Sequence, residues 1–453
     1  MSYNTTLFIF YFLPIVIILF YIIPVKARLA FLCLASFVFY GFADIIPLIF
    51  LVLSIIWGYI TAFLFFKYPN KKSLIIAISF PLLVLLLFKY LDFALCSISA
   101  SRNTRDFFSF FLAVVLPAGV SFYTFQIISY SIDVADKKIM PEKNIIKLAT
   151  YISFFPQLIA GPIVRYSLLK EQLDRLHERR KPDIINGVKL ISIGLFAKVI
   201  IADNLGVNIS RIFHPGAQDT AIIRNSLESL YVIFAYSFQI YYDFWAYSLI
   251  AIGLGKLFLL ELPKNFDQPY LSRNPKEFWK RWHITLSYWI KDYVYIKLGG
   301  SHSYLRNIII VFLICGIWHG AGWKFIYWGC YHAAFVLIYH KTKRKWDILP
   351  HYAQICLTFT IVSLCWGFFM FEWHEYIDLL NSVISLEFGS RTMPIRNFLY
   401  LGIIMFWHFY MQENKWLFTN KRTIFDNPII HALLLFTSIL FFRYSQTFIY
   451  FRF

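Results

Sequence analysis

Asn265-Phe266-Asp267-Gln268-Pro269-Tyr270-Leu271-Ser272-Arg273-Asn274-Pro275-Lys276-Glu277-Phe278-Trp279-Lys280-Arg281-Trp282-His283 is a polar, basic run inside a chain that is otherwise apolar, and how it is read decides the fold. Past a Gly299-Gly300 turn and a short apolar run, the chain continues into Gly316-Ile317-Trp318-His319-Gly320-Ala321-Gly322-Trp323, where one imidazole lies among glycines and indoles. Pro269 and Pro275 keep the basic run from forming one long helix. Leu262 to His332 is therefore the part around which the rest of the chain is organised.

Of the 453 residues, 59% are apolar, 21% aromatic and only 15% charged, with a mean hydropathy of +0.60. Such a composition excludes an ordinary soluble domain. A span needs about 20 predominantly apolar residues, and runs of that kind recur from Leu7 to the C-terminus. An all-α integral membrane protein is expected, with residues 1–453 forming a single polytopic membrane domain. The run Leu7 to Pro24 has no basic region before it and no small-residue cleavage site after it, so it reads as a retained span rather than a signal peptide.

The net charge of +18 would suggest nucleic acid in a soluble protein. In a polytopic chain cationic loops orient the helices instead, and no nucleic-acid partner is expected. Lys26 and Arg28 follow the first span, Asp44 the second, Lys67, Lys71 and Lys72 the third, and Asp92 lies beyond the fourth. This alternation predicts an extracytoplasmic N-terminus and basic loops in the cytoplasm, including the one near Lys343, with His214 outside. The six cysteines, Cys33, Cys96, Cys315, Cys330, Cys356 and Cys365, lie in apolar runs without a CxxC pair and read as core thiols.

No repeat, Gly/Ser linker or low-complexity tract is present. Leu116-Pro117-Ala118-Gly119 breaks the fifth apolar run, after which Gln126, Tyr130 and Asp133 share one helix face. They read either as helix-helix glue or as the lining of a water-filled cavity. Phe154-Phe155-Pro156-Gln157-Leu158-Ile159-Ala160-Gly161-Pro162-Ile163 is too short and interrupted to span, which predicts a broken or re-entrant helix. The charged run Arg165 to Asp183 reads as an amphipathic helix on anionic headgroups. Ile185 to Val207 crosses again, and Leu227 to Leu260 carries Gln239 and Asp243 four residues apart, on one face and within hydrogen-bonding reach. An acid there is costly unless satisfied. A buried Arg or Tyr is the expected partner.

Trp279, Trp282 and Trp289 accompany Lys and Arg as interfacial anchors do. Interleaved aromatic and cationic residues can also grip phosphate and adenine of an anionic ligand, although no glycine-rich phosphate loop is present. At His319, Gly316, Gly320 and Gly322 permit close backbone approach, and Trp318, Trp323 and Trp328 can wall off a dry pocket. A buried neutral imidazole beside such a pocket is a candidate general base. His332 has no further histidine or acid at metal-ligand spacing, so no metal site is expected.

The pieces Leu116 to Val134, Phe154 to Ile163, Tyr236 to Asp243, Asn265 to Gly300 and Gly316 to His332 resemble the membrane-bound O-acyltransferases. The likeness is to the branch that acetylates alginate and peptidoglycan and transfers D-alanine to teichoic acids. It covers about half the chain, in order. It identifies His319 in Trp318-His319-Gly320 with the family's invariant histidine, and His283 in Trp279-Lys280-Arg281-Trp282-His283-Ile284-Thr285 with its second functional histidine. One departure is plain: after Gln239-Ile240-Tyr241-Tyr242-Asp243-Phe244 the branch continues with a small Ser-Gly pair and an acid, whereas this chain has Trp245-Ala246-Tyr247-Ser248-Leu249.

The resemblance implies a ring of about eleven or twelve spans, with broken or re-entrant helices around a central funnel. The N-terminal spans would occupy 1–115, the core with the funnel 116–340, and the C-terminal spans 341–453. It implies a bacterial cytoplasmic-membrane enzyme with no tightly bound cofactor. Acetyl-CoA would donate from the cytoplasm, its phosphates near Lys276, Lys280, Arg281 and Trp282. Gln126, Gln239, Asp243, Trp318, Trp323 and His332 would line the funnel. His319 would deprotonate the acceptor hydroxyl or carry the acyl group, and the acceptor would be an extracytoplasmic partner such as an SGNH-type transferase. D-alanyl transfer to teichoic acid stays open, as does a flippase that moves a lipid-linked sugar without chemistry, since broken helices suit transporters too.

Overall fold

The computed structural model describes residues 3–42, 44–98, 102–108, 119–159, 161–213, 225–386, 393–411, 417–418, 427–442 and 448. Leu116-Pro117-Ala118 of the expected break, Ala160, and His214 lie outside the described residues. The described residues form helices and turns without a strand, in two compact units. The first comprises Met1–Ile191 with Tyr247–Lys264, the second Ser192–Ala246 with Asn265–Phe453.

Within the first unit run α1 (Phe8–Ile22), α2 (Arg28–Gly41), α3 (Ile45–Lys67), α4 (Lys71–Lys89), α5 (Val120–Ala135), α6 (Ile145–Ser153) and α7 (Tyr166–Asp174). Short polar residues start the long apolar helices by capping free amides: the Asp44 carboxylate accepts from Ile46 N at 2.9 Å, and the Asn70 carbonyl from Ser73 N at 2.9 Å. Gly119 opens α5 at φ +78°, and a Cβ there would sit 2.2 Å from the Leu158 carbonyl oxygen, so only glycine fits. Gln126, Tyr130 and Asp133 are all buried on α5. Tyr130 is structural: its hydroxyl accepts from Glu142 N at 2.8 Å.

The expected broken helix is present as a four-residue turn, Phe155–Leu158, after α6. Neighbouring side chains satisfy its loose backbone. Tyr3 donates to the Phe155 and Pro156 carbonyls at 2.7 and 3.0 Å, and Phe155 N donates to Ser36 Oγ at 3.1 Å; further along the chain, Tyr151 donates to the Val164 carbonyl at 2.9 Å. An unmet group at this depth would cost several kcal/mol. Around it, Phe12, Phe39 and Phe258 lie 5.4 to 5.6 Å from the Phe155 ring.

Two helices run from one unit's residues into the other's: α8 (Ile184–Ile212), which widens into a π-helical segment at Ala197–Ala202, and α9 (Ser226–Leu257). The second unit continues with α10 (Pro275–Arg281), α11 (Ile284–Ile290), α12 (Tyr304–His319), α13 (Trp323–Asp347), α14 (His351–Met370), α15 (Trp373–Ile384), α16 (Ile395–Met411) and α17 (Pro428–Phe441). Among the described residues five helices, α3, α4, α8, Gly300–His319 and α14, are long and apolar enough to cross a membrane, and α1 and α17 are shorter apolar helices. The long α9 is not among them. Its Glu228, Gln239, Asp243 and tyrosines dilute its hydropathy.

Half of the expected core thiols are elsewhere: Cys33, Cys315 and Cys365 are buried, but Cys96, Cys330 and Cys356 are exposed. A membrane helix is apolar on its lipid-facing side as well as its packed side, so hydropathy does not say which side a cysteine takes. The orientation proposed from the loop charges is tested in a cysteine-free background. Lys71→Cys and Lys343→Cys should be shielded from an impermeant thiol reagent added to intact cells, and Asp92→Cys should react. The reverse pattern would invert the topology.

Candidate functional site

The basic run folds back on itself rather than extending along a surface. Asp267 N donates to the Arg281 carbonyl at 2.9 Å and Ile284 N to the Asn265 carbonyl at 2.8 Å, closing a loop that contains α10. At its closing corner His283 takes φ +42°, a left-handed conformation that costs about 1 to 3 kcal/mol in a non-glycine residue and persists only where its surroundings enforce it. The enforcing group is Asn265. Its Oδ1 lies 3.1 Å from His283 Nδ1 and accepts from Thr285 N at 3.2 Å and Thr285 Oγ1 at 2.9 Å.

That pattern sets the tautomer. A backbone N–H can only donate, so the Asn265 atom it meets is the carbonyl oxygen, and Nδ1 of His283 must donate to it too. The neutral ring therefore keeps its lone pair on Nε2, which is buried without a hydrogen-bond partner. Phe244 stands edge-on to the ring at 4.6 Å.

His319 ends α12, and its position depends on how closely α12 meets α13. A Cβ at Gly316 would lie 2.3 Å from the Phe325 carbonyl oxygen, and one at Gly329 would lie 2.5 Å from that of Phe312. Gly320 is needed as well, because a Cβ there would strike the Phe325 ring at 2.0 Å. Gly322 has no such crowding, and Gly329 was not anticipated from the sequence.

Indoles alternate with the imidazoles. Trp318 lies 6.1 Å from the ring of His283 and 4.8 Å from that of His319; Trp328 lies 4.8 Å from His319 and 4.8 Å from His332. The structure thus brings His283, Trp318, His319 and His332 into one buried aromatic cluster in the second unit. Both ring nitrogens of His332 and the indole N–H groups of Trp328, Trp366 and Trp279 are buried there without a hydrogen-bond partner. Trp323 is not a buried wall, being 59% exposed.

The residues expected at donor phosphates divide. Lys276 and Lys280 are exposed, Lys276 over the Tyr304 ring at 5.1 Å, and Arg281 is engaged by Glu277 at 2.6 Å. Trp282 is buried, 4.7 Å from Trp366, and Trp289 is buried too, so neither is the interfacial anchor expected.

Asp243 has a lysine as its partner, where arginine or tyrosine was expected. Lys198, in the π-helical segment of α8, lies 2.9 Å from Asp243 and 2.6 Å from Asp203, and all three are buried. Lys198 could have been found, since a cation within an apolar span is a functional or ion-paired residue by default. His408 was also missed; it is buried edge-on to Tyr241 at 4.9 Å. Gln239 is buried on α9, whereas Gln126 belongs to the first unit. Among the described residues no three His, Cys, Asp or Glu side chains gather as metal ligands would.

A buried cluster with one lone pair in a fixed direction and a second imidazole on the same indole can take a proton from a hydroxyl and hold it nearby. Comparison with known proteins gives that chemistry a context. Residues 137–373 match the model of the membrane-bound O-acyltransferase family. The chain is 35% identical to a peptidoglycan O-acetyltransferase of Helicobacter pylori, over 81% of this chain and 76% of that one. It is 35% identical to a probable alginate O-acetylase of Azotobacter vinelandii (88% and 80% covered), and 28% identical to a teichoic acid D-alanyltransferase of Bacillus subtilis (56% and 68%).

Two substitutions probe this scaffold. Asn265→Ala removes one acceptor from three donors and should lower stability by about 3 kcal/mol at roughly 1 kcal/mol per bond, while Thr285→Val, which loses one of the three, should cost about a third as much. Gly329→Ala should cost about 1 to 3 kcal/mol, because the added Cβ meets backbone. Unfolding in detergent is the measurement; melting unchanged in Asn265→Ala would show that the tautomer lock is not structural.

Proposed function

We propose that this chain, which belongs to the membrane-bound O-acyltransferase family, moves an acetyl group across the bacterial cytoplasmic membrane for O-acetylation of a cell-wall or secreted polysaccharide. It is an acyltransferase of the membrane and so uses an acyl donor. The donor in this reading is acetyl-CoA, and the acceptor is a hydroxyl of an extracytoplasmic SGNH-type partner that passes the acetyl group to the sugar. The names of the relatives at 35% identity, which act on peptidoglycan and alginate, support O-acetylation over D-alanyl transfer. The reading keeps the N-terminus extracytoplasmic.

The observation that carries the mechanism is the Trp318 indole shared by two imidazoles. In the reaction the acceptor oxygen attacks the thioester carbonyl, a C–O bond forms and the C–S bond breaks. The hydroxyl proton goes to an imidazole and from there to the departing thiolate. His319 is the base in this reading and His283 orients the donor. A second assignment is favoured by the fixed tautomer of His283, whose Nε2 lone pair has no partner: there His283 takes the proton and His319 stabilises the charge that develops. Lys276, Lys280 and Arg281 would hold the donor phosphates, with Trp282 supporting them from the core. Gln239, Asp243, Trp318 and His332, all buried in the second unit, would line the path.

His319→Ala should lower acetyl transfer by about 10² to 10⁴ while the protein still inserts and folds, since general-base help is worth that much. Near-normal turnover of a well-expressed variant would sink the assignment. Single-turnover transfer to a hydroxyl acceptor, with acetyl-CoA already bound, separates the two histidines. His283→Ala should retain that step and His319→Ala should lose it, because only the base removes a barrier specific to the transition state. The opposite result would assign the proton to His283.

A further inference from the structure

A cavity of about 330 Å³ lies in the second unit among α8, α9, α16 and α17, on walls the acyl-transfer mechanism does not use. Its lining includes Ile200 and Ile201, Trp245, Ile403 and Ile404, and Leu434. The volume is within the range of small-molecule sites. Its character is nearly pure hydrocarbon, and a carbon-lined space offers water no partners.

Two features keep the space open. The π-helical segment Ala197–Ala202 displaces one wall, and such bulges are frequent at functional sites. The Ile200 carbonyl within it is satisfied from the side by the Tyr400 hydroxyl at 2.5 Å and the Asn204 amide at 2.6 Å. Next to that wall, Lys198 binds Asp243 at 2.9 Å, and the residues flanking this pair, Ala197 on α8 and Tyr242 on α9, line the cavity. The ion pair fixes the separation of α8 and α9, so they do not close over the void. Trp245 lines it too, its indole N–H buried without a hydrogen-bond partner.

The surroundings of the mouth identify the occupant. Ile403 lines the cavity and is also 66% exposed, and its neighbours on the same two helices, Phe406 and Leu433, are 65% and 59% exposed. In a protein that spans a bilayer, an exposed flank of isoleucine, phenylalanine and leucine faces lipid. The cavity therefore opens sideways into hydrocarbon.

We propose that it is a binding site for one fatty-acyl chain of a bilayer glycerolipid, which enters between α16 and α17 and fills the space beside the Lys198–Asp243 pair. The site is separate from the catalytic reading and stands whatever the acyl acceptor is.

The full-length protein, reconstituted in phosphatidylcholine vesicles containing a phosphatidylcholine with a photoactivatable diazirine in one acyl chain, tests this. After irradiation, peptides carrying Ile200 and Ile201 or Ile403 and Ile404 should be labelled several-fold more than the lipid-facing Ile15 and Ile18 of α1. Ile404→Trp fills the cavity and should remove the excess while leaving α1 labelling unchanged. Leu434→Trp closes it from the other wall and serves if the first variant does not fold. Equal labelling of all exposed apolar faces would overturn the proposal, as would an excess that survives either folded plug variant. Displacement of the label by a polyprenyl phosphate but not by excess unlabelled phosphatidylcholine would overturn the fatty-acyl assignment.

Discussion

A polar group in hydrocarbon has no solvent to fall back on, and the whole chain is arranged around meeting that demand from within. The demand is strongest at Lys198, Asp203 and Asp243, where three ionisable groups are buried together. One lysine between two carboxylates at 2.6 and 2.9 Å satisfies the attraction, and removing either kind of partner would strand a charge at a cost of about 3 to 5 kcal/mol. The bond fixes α8 against α9 at the level where α9 carries Asp243 and Phe244, and Phe244 packs on His283. The buried charge pair thus helps to set the position of the His283 ring.

The same demand explains why the irregular segments are where they are. The broken helix at Phe155–Leu158 exists because Tyr3 and Ser36 supply its missing partners. The loop from Asn265 to His283 exists because one amide oxygen serves three donors. In both places a few side chains make non-helical backbone affordable at depth. The second case adds chemistry: the bond that settles the backbone also chooses which imidazole nitrogen keeps its lone pair.

Close packing without Cβ atoms does the remaining positioning. Gly316 and Gly329 let α12 and α13 approach until carbonyl oxygens of Phe325 and Phe312 occupy the space a side chain would need. That approach presses Trp328 between His319 and His332 and buries the cluster. In membranes such small-residue contacts replace the hydrophobic effect as the force that brings helices together.

The sequence alone determined the membrane setting, the helical class, the helix start at Gly119, the break at Phe154, and His283 and His319 as candidates, because hydropathy, proline, glycine and isolated polar residues are local signals. The likeness of motifs in order supplied the family, which the comparisons bear out. Which face a residue takes was not legible. Trp282 and Trp289 looked like anchors and are buried, Trp323 looked like a wall and is 59% exposed, and three of six cysteines lie outside the core. A helix facing lipid on one side and protein on the other is apolar on both, so periodicity carries no direction. Only the tertiary structure paired Lys198 with Asp243 across 45 positions of sequence and Asn265 with His283 across 18, because those distances are set by how helices meet.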